Sequence, residues 1–187
     1  KKKKKLSLQE IISAVHGSYG YPADVEISDI STDTRTIKPG SLFIALKGEN
    51  FDGHNFAAKA MELGAEAVVT ERPVEGARCV IVDSTARALL DIAGYYRSKF
   101  NVKVVGVTGS VGKTTTKDMI ALVVAQKYKT LKTQGNHNNE IGMPQTLFGL
   151  DSSYEAAVIE MGMSHQGEIS RMSMSCQPDV AGINNNG

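Results

Sequence analysis

The most informative stretch of this chain is Gly106-Val107-Thr108-Gly109-Ser110-Val111-Gly112-Lys113-Thr114-Thr115. The residues before it, 102–107, are apolar apart from Lys103, which is typical of a strand buried on both faces of a parallel sheet. The residues after it, 114–126, are predicted to form a helix. A glycine-rich turn between a buried strand and a helix is the usual context of a phosphate-binding loop. The sequence therefore predicts an α/β domain that binds a nucleotide.

The residue types of this loop suit phosphate chemistry. Glycines allow backbone N–H groups to close around phosphate oxygens, and the start of the following helix adds a favourable field. Lys113 can reach the β- and γ-phosphates, and the Thr114 hydroxyl can bind Mg²⁺. The match to the usual pattern is imperfect, because Val107 stands where a glycine is expected and the glycine is displaced to Gly109. A purely structural glycine-rich turn is the alternative.

Predicted strands and helices alternate after the loop, which favours a doubly wound parallel sheet. We predict strands at 130–132 and 156–161 and one that starts at Val180, with helices near 144–150 and 168–174.

The residues before the loop indicate a smaller mixed α/β unit. Ser7 and Glu10 form a capping box for a first helix, which we expect Gly17 and Gly20 to end. The rest of the pattern comprises short apolar runs at 25–30, 42–46, 67–69 and 80–82, a helix at 56–63 that Gly64 ends, and a linking helix at 85–99.

We therefore predict an α/β chain in three parts. Residues 1–5 form a basic tail or tag, residues 6–84 a small substrate-binding domain, and residues 85–187 a phosphate-loop ATPase domain with a doubly wound sheet. Because the sequence stops directly after its third or fourth strand of this kind, we expect the second domain to be truncated.

Composition and charge exclude several classes of protein. Subtracting the five lysines at residues 1–5 from the net charge of +1 leaves −4, so no basic surface for nucleic acid is expected. No run of about 18 apolar residues is present, so we expect no membrane insertion. Cys79 and Cys176 form no metal or redox motif, which favours the reducing cytoplasm.

Several ordered segments resemble the Mur ligase family. Residues 108–115 are similar to its nucleotide loop, and residues 160–163 to its metal-binding acidic segment. Residues 31–35, 39–43 and 47–54 resemble its substrate-binding front domain. Residues 135–144, with the run Asn138-Asn139-Glu140, are closer to the MurF branch than to the MurE branch.

The resemblance implies an ATP- and Mg²⁺-dependent amide ligase of peptidoglycan precursor synthesis. Its three domains hold, in order, the uridine diphosphate (UDP) end of a UDP-N-acetylmuramoyl-tripeptide, ATP, and the amine D-alanyl-D-alanine. The acid is activated as an acyl phosphate before the amine attacks. These two small molecules are the expected partners, and the full-length protein is expected to be a monomer.

The family's functional residues map onto named positions of this sequence. Lys113 and Glu160 would be catalytic, and Thr114 and Glu160 would bind the metal. Glu160 also lies at the carboxyl end of a predicted strand, where ligands bind in open α/β sheets. Nucleotide contacts would come from Thr108, Gly109, Ser110, Val111, Gly112, Lys113, Thr114, Thr115, Asn138 and Asn139. UDP contacts would come from Ser31, Thr32, Asp33, Thr34, Arg35, Lys47, Asn50 and His54.

Each assignment has a plainer alternative. Glu160 could be a solvated acid at a strand end, residues 31–35 an ordinary polar turn with a surface Arg–Asp pair, and the asparagines local turn formers. His165 is more typical of a surface residue than of a substrate contact.

Three other functions remain open at this point. A MurE-type ligase shares the loop, and a non-catalytic fragment could hold the UDP substrate or the nucleotide alone. An unrelated phosphate-loop ATPase would not explain residues 31–35 and 52–54. The family's carbamylated lysine, second metal-binding histidine, adenine pocket and amine-binding domain are expected beyond Gly187, so we expect the isolated chain to be inactive.

Overall fold

The computed structural model describes residues 3–109, 113–162 and 167–184, with residues 113 and 184 described by their backbone alone. The described chain divides into two compact units, residues 5–92 and the residues from 93 onward, the second of which also includes Lys3 and Lys4. This division falls inside the linking helix, whereas the sequence places the domain boundary before that helix.

The first unit is built on a parallel sheet. Its elements are β1 (Leu6–Ser7), α1 (Leu8–Val15), β2 (Glu26–Ile27), β3 (Asp29–Ser31), β4 (Ser41–Ile44), α2 (Ala57–Glu62), β5 (Ala67–Thr70) and β6 (Cys79–Ile81), with 3₁₀ turns at Thr34–Thr36 and Gly53–Phe56. The four strands β3–β6 pair in chain order and all run parallel, while β1 pairs antiparallel with β2. Phe43 and Val68 centre the core, with small residues of α2 packed against them.

The first helix confirms its predicted start and corrects its predicted end. Ser7 Oγ accepts from the Glu10 backbone N–H at 3.1 Å, and the Glu10 carboxylate accepts from the Ser7 N–H at 3.0 Å. The helix ends at a non-glycine, His16, whose φ of 54° is left-handed. Gly17 has another role, because a Cβ at this position would lie 2.5 Å from Cγ1 of Val80 in strand β6. The close approach of β6 therefore requires a glycine at position 17.

The second unit confirms the predicted alternation. α3 (Thr85–Ser98) enters it, followed by β7 (Lys103–Gly109), α4 (Lys113–Ala125), β8 (Thr130–Lys132), α5 (Gly142–Leu147), β9 (Ala156–Glu160), α6 (Glu168–Cys176) and β10 (Val180–Asn184). The sheet order is β10-β7-β9-β8, and every pair is parallel. The α/β fold with parallel sheets is therefore confirmed. Because the strands are parallel, their carboxyl ends share one edge of the sheet.

A buried arginine connects the ends of two helices to the start of a strand in this unit. The Arg97 guanidinium donates to the carbonyl oxygens of Cys176 (2.8 Å), Phe100 (3.2 Å) and Val102 (3.3 Å). The ends of α3 and α6 and the start of β7 are thus joined through one side chain. A cation is favourable here because carbonyl groups are unsatisfied at helix ends.

None of the helices in the described ranges is long and apolar enough to cross a membrane.

Candidate nucleotide and substrate sites

The predicted phosphate loop lies between β7 and α4. β7 ends at Gly109, whose φ of 145° favours glycine, and α4 starts at Lys113, with Thr114 and Thr115 exposed in its first turn. Thr108 pairs with β10 at the carboxyl end of β7. The predicted contacts of Ser110, Val111, Gly112 and the Lys113 side chain lie outside the described residues, as does His165.

Glu160 is the centre of the candidate nucleotide site. It is the last residue of β9 and is only 1% exposed, so the alternative of a solvated acid is wrong. The Thr114 hydroxyl lies 3.3 and 3.4 Å from its two carboxylate oxygens. Asn138 Nδ2 donates to Oε1 at 3.1 Å. Three residues predicted from separate segments therefore meet at the carboxyl edge of the sheet.

The oxygen atoms at this site fit a magnesium ion. Within the described side chains, Glu160 contacts a hydroxyl and an amide rather than a cation, and a buried carboxylate without a cation is unfavourable. Mg²⁺ typically binds one or two carboxylates and takes its other oxygens from phosphates and water. No group of three or more His, Cys, Asp or Glu side chains is assembled for a metal among the described residues. Glu160 and Thr114 would therefore hold Mg²⁺ together with nucleotide phosphates.

Two further residues support Glu160, and neither of them was predicted from the sequence. The Glu160 backbone N–H donates to Thr133 Oγ1 at 2.9 Å. The Lys117 ammonium donates to the Thr133 carbonyl oxygen at 2.8 Å and is 3% exposed. One feature of the sequence could have indicated Lys117. It follows Thr114 by three residues, and this spacing places both side chains on one side of a helix.

The two predicted asparagines have different roles in the structure. Asn138 lies against the site, where its carbonyl oxygen accepts from Gly162 N–H at 2.6 Å. The Asn139 side-chain oxygen accepts from the N–H groups of Gly142 (2.6 Å) and Ile141 (3.1 Å) at the start of α5. Asn139 thus has the local, turn-forming contacts of the alternative interpretation.

A cleft of about 420 Å³ in the first unit contains four of the residues predicted to bind UDP. It is lined by Thr32, Asp33, Thr34, Arg35, Phe43, Phe51 and Phe56. The rings of Phe51 and Phe56 stack with 5.5 Å between centroids and 18° between planes, and both are exposed. Phe51 belongs to a segment that resembles the family, yet neither aromatic side chain was predicted to contact a ligand.

The polar side of this cleft is an ordered turn. Asp33 caps the 3₁₀ turn Thr34–Thr36 and accepts from the Arg35 guanidinium at 2.7 Å, which lowers the pKa of the Asp33 carboxyl. The Arg35 side chain is 87% exposed, so its guanidinium faces solvent while it is paired with Asp33. Ser31 is buried, and its hydroxyl donates to the Asp33 carbonyl oxygen at 2.8 Å. Ser31 therefore supports the turn from beneath.

The predicted direct contact between His54 and a ligand is contradicted by burial. Its ring is fully buried, Nε2 accepts from Glu71 N–H at 2.8 Å, and Nδ1 lies 2.7 Å from Asp52 Oδ1. Since a backbone N–H can only donate, Nε2 is the acceptor and Nδ1 carries the proton. Lys47 and Asn50 are exposed on the neighbouring turn, and neither is among the residues lining the cleft.

Two family models match almost the whole chain between them. The model described as "Mur ligase family, catalytic domain" matches residues 26–108. The model described as "Mur ligase middle domain" matches residues 107–187. The junction of the two matches coincides with strand β7, immediately before the phosphate loop.

Individual proteins also match this chain. A protein of Synechocystis named UDP-N-acetylmuramoyl-tripeptide–D-alanyl-D-alanine ligase is 45% identical over 168 residues, which cover 88% of this chain and 37% of that protein. The crystal structure of MurF from Acinetobacter baumannii superposes with a TM-score of 0.90 at 39% identity, covering 98% of this chain and 42% of that one. The crystal structure of MurF ligase from Thermotoga maritima in complex with ADP superposes with a TM-score of 0.78 at 36% identity. The match covers 85% of this chain and 38% of that one. The chain thus spans about two fifths of the length of the proteins it matches.

Proposed function

Because this chain belongs to the Mur ligase family, we propose that it serves the MurF reaction of peptidoglycan precursor synthesis. In that reaction the tripeptide carboxylate of a UDP-N-acetylmuramoyl-tripeptide takes the terminal phosphoryl group of ATP and ADP leaves. The amine of D-alanyl-D-alanine then attacks the acyl phosphate, an amide bond forms and phosphate leaves. The relatives at 36–45% identity named for this reaction or as MurF support it over the MurE reaction.

The observation that carries the proposal is the meeting of Thr114 and Asn138 on the buried carboxylate of Glu160. We propose that Glu160 and Thr114 hold Mg²⁺, which when bound would offset the negative charge of the phosphates. α4 directs its N-terminal end toward the same edge of the sheet, where the helix dipole favours phosphate. Lys113 and the loop residues 108–112 would surround the phosphates, and Lys113 would stabilise the group in transfer.

We further propose that the cleft of the first unit binds the UDP end of the acid substrate. Phe51 and Phe56 offer a flat apolar surface on which a uracil ring can stack, since every base has a π-face. Arg35 would bind the diphosphate through charge-assisted hydrogen bonds, sharing its guanidinium with Asp33. Thr32 and Thr34 add neutral hydroxyl groups at the rim.

We also propose a cytoplasmic location, where ATP is available. Cys79 and Cys176 are both buried free thiols, and burial raises the pKa of the Cys176 thiol to about 11. Unpaired, unreactive cysteines suit a reducing compartment.

Calorimetric titration of the chain tests the proposed function. Mg-ADP and UDP-N-acetylmuramoyl-tripeptide should each bind, and saturation with one should not prevent binding of the other. Glu160→Gln keeps the size of the side chain but removes its charge, so it should abolish the gain in ADP affinity that Mg²⁺ provides and leave metal-free ADP binding unchanged. Full Mg²⁺ dependence in Glu160→Gln would show that the metal lies elsewhere.

A further inference from the structure

We infer that Lys117 is a positioning residue for the magnesium site, an inference that rests on the proposed nucleotide function. Lys117 lies on α4 and is 3% exposed, although lysine is almost never fully buried without partners. Its ammonium lies 2.8 Å from the Thr133 carbonyl oxygen and 3.1 Å from Asp118 Oδ1. A buried cation is stable only while such partners are in place, so its contacts restrict where α4 can lie.

The contacts of Lys117 close a ring of four residues. Lys117 donates to the backbone of Thr133, and Thr133 accepts from the backbone of Glu160 through its hydroxyl. The Glu160 carboxylate accepts from the Thr114 hydroxyl, and Thr114 is one helical turn before Lys117 on α4. We call this set, Thr114, Lys117, Thr133 and Glu160, the α4–β9 ring.

The ring links parts of the chain that are remote in sequence. Thr114 is on α4, Thr133 follows β8, and Glu160 ends β9. Thr133 is itself fixed beside β9, because its N–H donates to the Val158 carbonyl oxygen at 3.1 Å. A shift of α4 along the sheet would therefore stretch or break the Lys117–Thr133 bond.

A small shift of α4 would matter for metal binding. The two proposed metal ligands, Thr114 and Glu160, are on different elements, and their separation depends on how α4 lies against β9. Ligand groups must be held to within about 0.5 Å for a productive site, and partners behind the ligands typically change metal affinity by about 10–100-fold. Lys117 thus sets the spacing of two oxygen ligands without touching the metal.

The test compares ADP binding with and without Mg²⁺ by calorimetry. Lys117→Met should reduce the Mg²⁺-dependent gain in affinity at least about tenfold, while metal-free ADP affinity changes less than about twofold. Thr133→Val breaks the ring at a different bond with little change in shape and should give the same selective loss. Thr133→Ser keeps the hydroxyl and should retain the gain.

Lys132→Met is the matched control. Lys132 also contacts Asp118, at 3.3 Å, but it is outside the α4–β9 ring, so its replacement should leave the Mg²⁺-dependent gain intact. If Lys117→Met loses its cooperative melting transition, Thr133→Val decides the question. The inference would be overturned if Lys117→Met lowered ADP affinity equally with and without Mg²⁺. It would also be overturned if Thr133→Val kept the full Mg²⁺-dependent increase in ADP affinity. If Mg²⁺ does not increase the ADP affinity of the unmodified chain, the proposed magnesium site is wrong, and if ADP does not bind at all, the proposed nucleotide site is wrong.

Discussion

Among single residues of the first unit, Asp52 has the clearest structural role, because its carboxylate stabilises one turn. Asp52 accepts from the backbone N–H of His54 at 2.9 Å, faces the His54 ring, and lies 3.3 Å from Arg72. These contacts hold the turn 47–52 beside β5. The turn carries Phe51, so the order of the proposed UDP cleft depends on Asp52 although Asp52 is not among the residues that line it.

Acid should release this turn. The pKa of the Asp52 carboxyl is lowered from 3.8 to about 2, chiefly by the His54 backbone N–H and then by the His54 and Arg72 side chains. Its stabilising effect is therefore present above pH 3.8 and is lost as the pH falls through about 2. Asp52→Asn can still accept both hydrogen bonds from His54 but has no carboxyl group to titrate. Between pH 4 and pH 2 the unfolding free energy of this variant should therefore fall less than that of the unmodified chain. Parallel acid profiles from chemical denaturation would contradict this account.

The aromatic pair of the cleft predicts a second residue effect. Phe51→Ala removes one face of the proposed uracil surface and should weaken UDP binding by about 1–3 kcal/mol, the usual effect of losing one stacked ring. Tyr21→Ala is a suitable control, since Tyr21 is similarly exposed but is not among the residues lining the cleft. Equal UDP affinities of Phe51→Ala and the unmodified chain, measured by calorimetry, would remove Phe51 from the site.

At the scale of elements, Arg97 determines how the helix ends of the second unit pack. Arg97→Met would leave the buried carbonyl oxygens of Cys176, Phe100 and Val102 without a donor. Because hydrogen bonds to charged groups are each worth about 1.5–3 kcal/mol and are not additive, we expect a loss of about 3 kcal/mol. Urea denaturation measures this loss.

Arg87→Ala in the same helix provides the comparison. Arg87 makes an exposed pair with Asp91 one turn along, at 3.7 Å, so its loss should cost less than about 1 kcal/mol. If Arg87→Ala and Arg97→Met destabilise the chain equally, the buried guanidinium has no special role.

The elements also show what sequence can predict. The strands of the second unit were located closely, β8 to the residue and β9 to within one residue, because short runs of strand-favouring residues between turn residues depend on local chemistry. The residue that ends α1 was predicted wrongly, because the left-handed position is His16, while Gly17 is needed to avoid Val80, far along the chain. For the same reason Glu160 and Thr114 were found through motifs, whereas Lys117 and Thr133 were not.

At the scale of the whole molecule, we expect the 187-residue chain alone not to form the amide bond. It spans 37% of the length of the Synechocystis ligase, and its described residues assemble no group of three or more His, Cys, Asp or Glu side chains for a metal. Catalysis of this kind comes mostly from positioning and electrostatic stabilisation, which need all groups in place. Phosphate release with UDP-tripeptide, D-alanyl-D-alanine and Mg-ATP should remain at background. Turnover of about 1–10³ per second would show that these residues suffice.

The strand order also governs when the candidate nucleotide site can form during synthesis. β7 does not pair with β8, the next strand made, because β9 lies between them, and Val107 finds its partner Glu160 only about fifty residues later. As the ribosome produces the chain from its N-terminus, the loop emerges well before the strand that anchors it. Until β9 has emerged, the edge of β7 stays open to wrong pairing. The candidate nucleotide site is therefore assembled late, and a bound nucleotide would favour the completed sheet over earlier, partly folded forms.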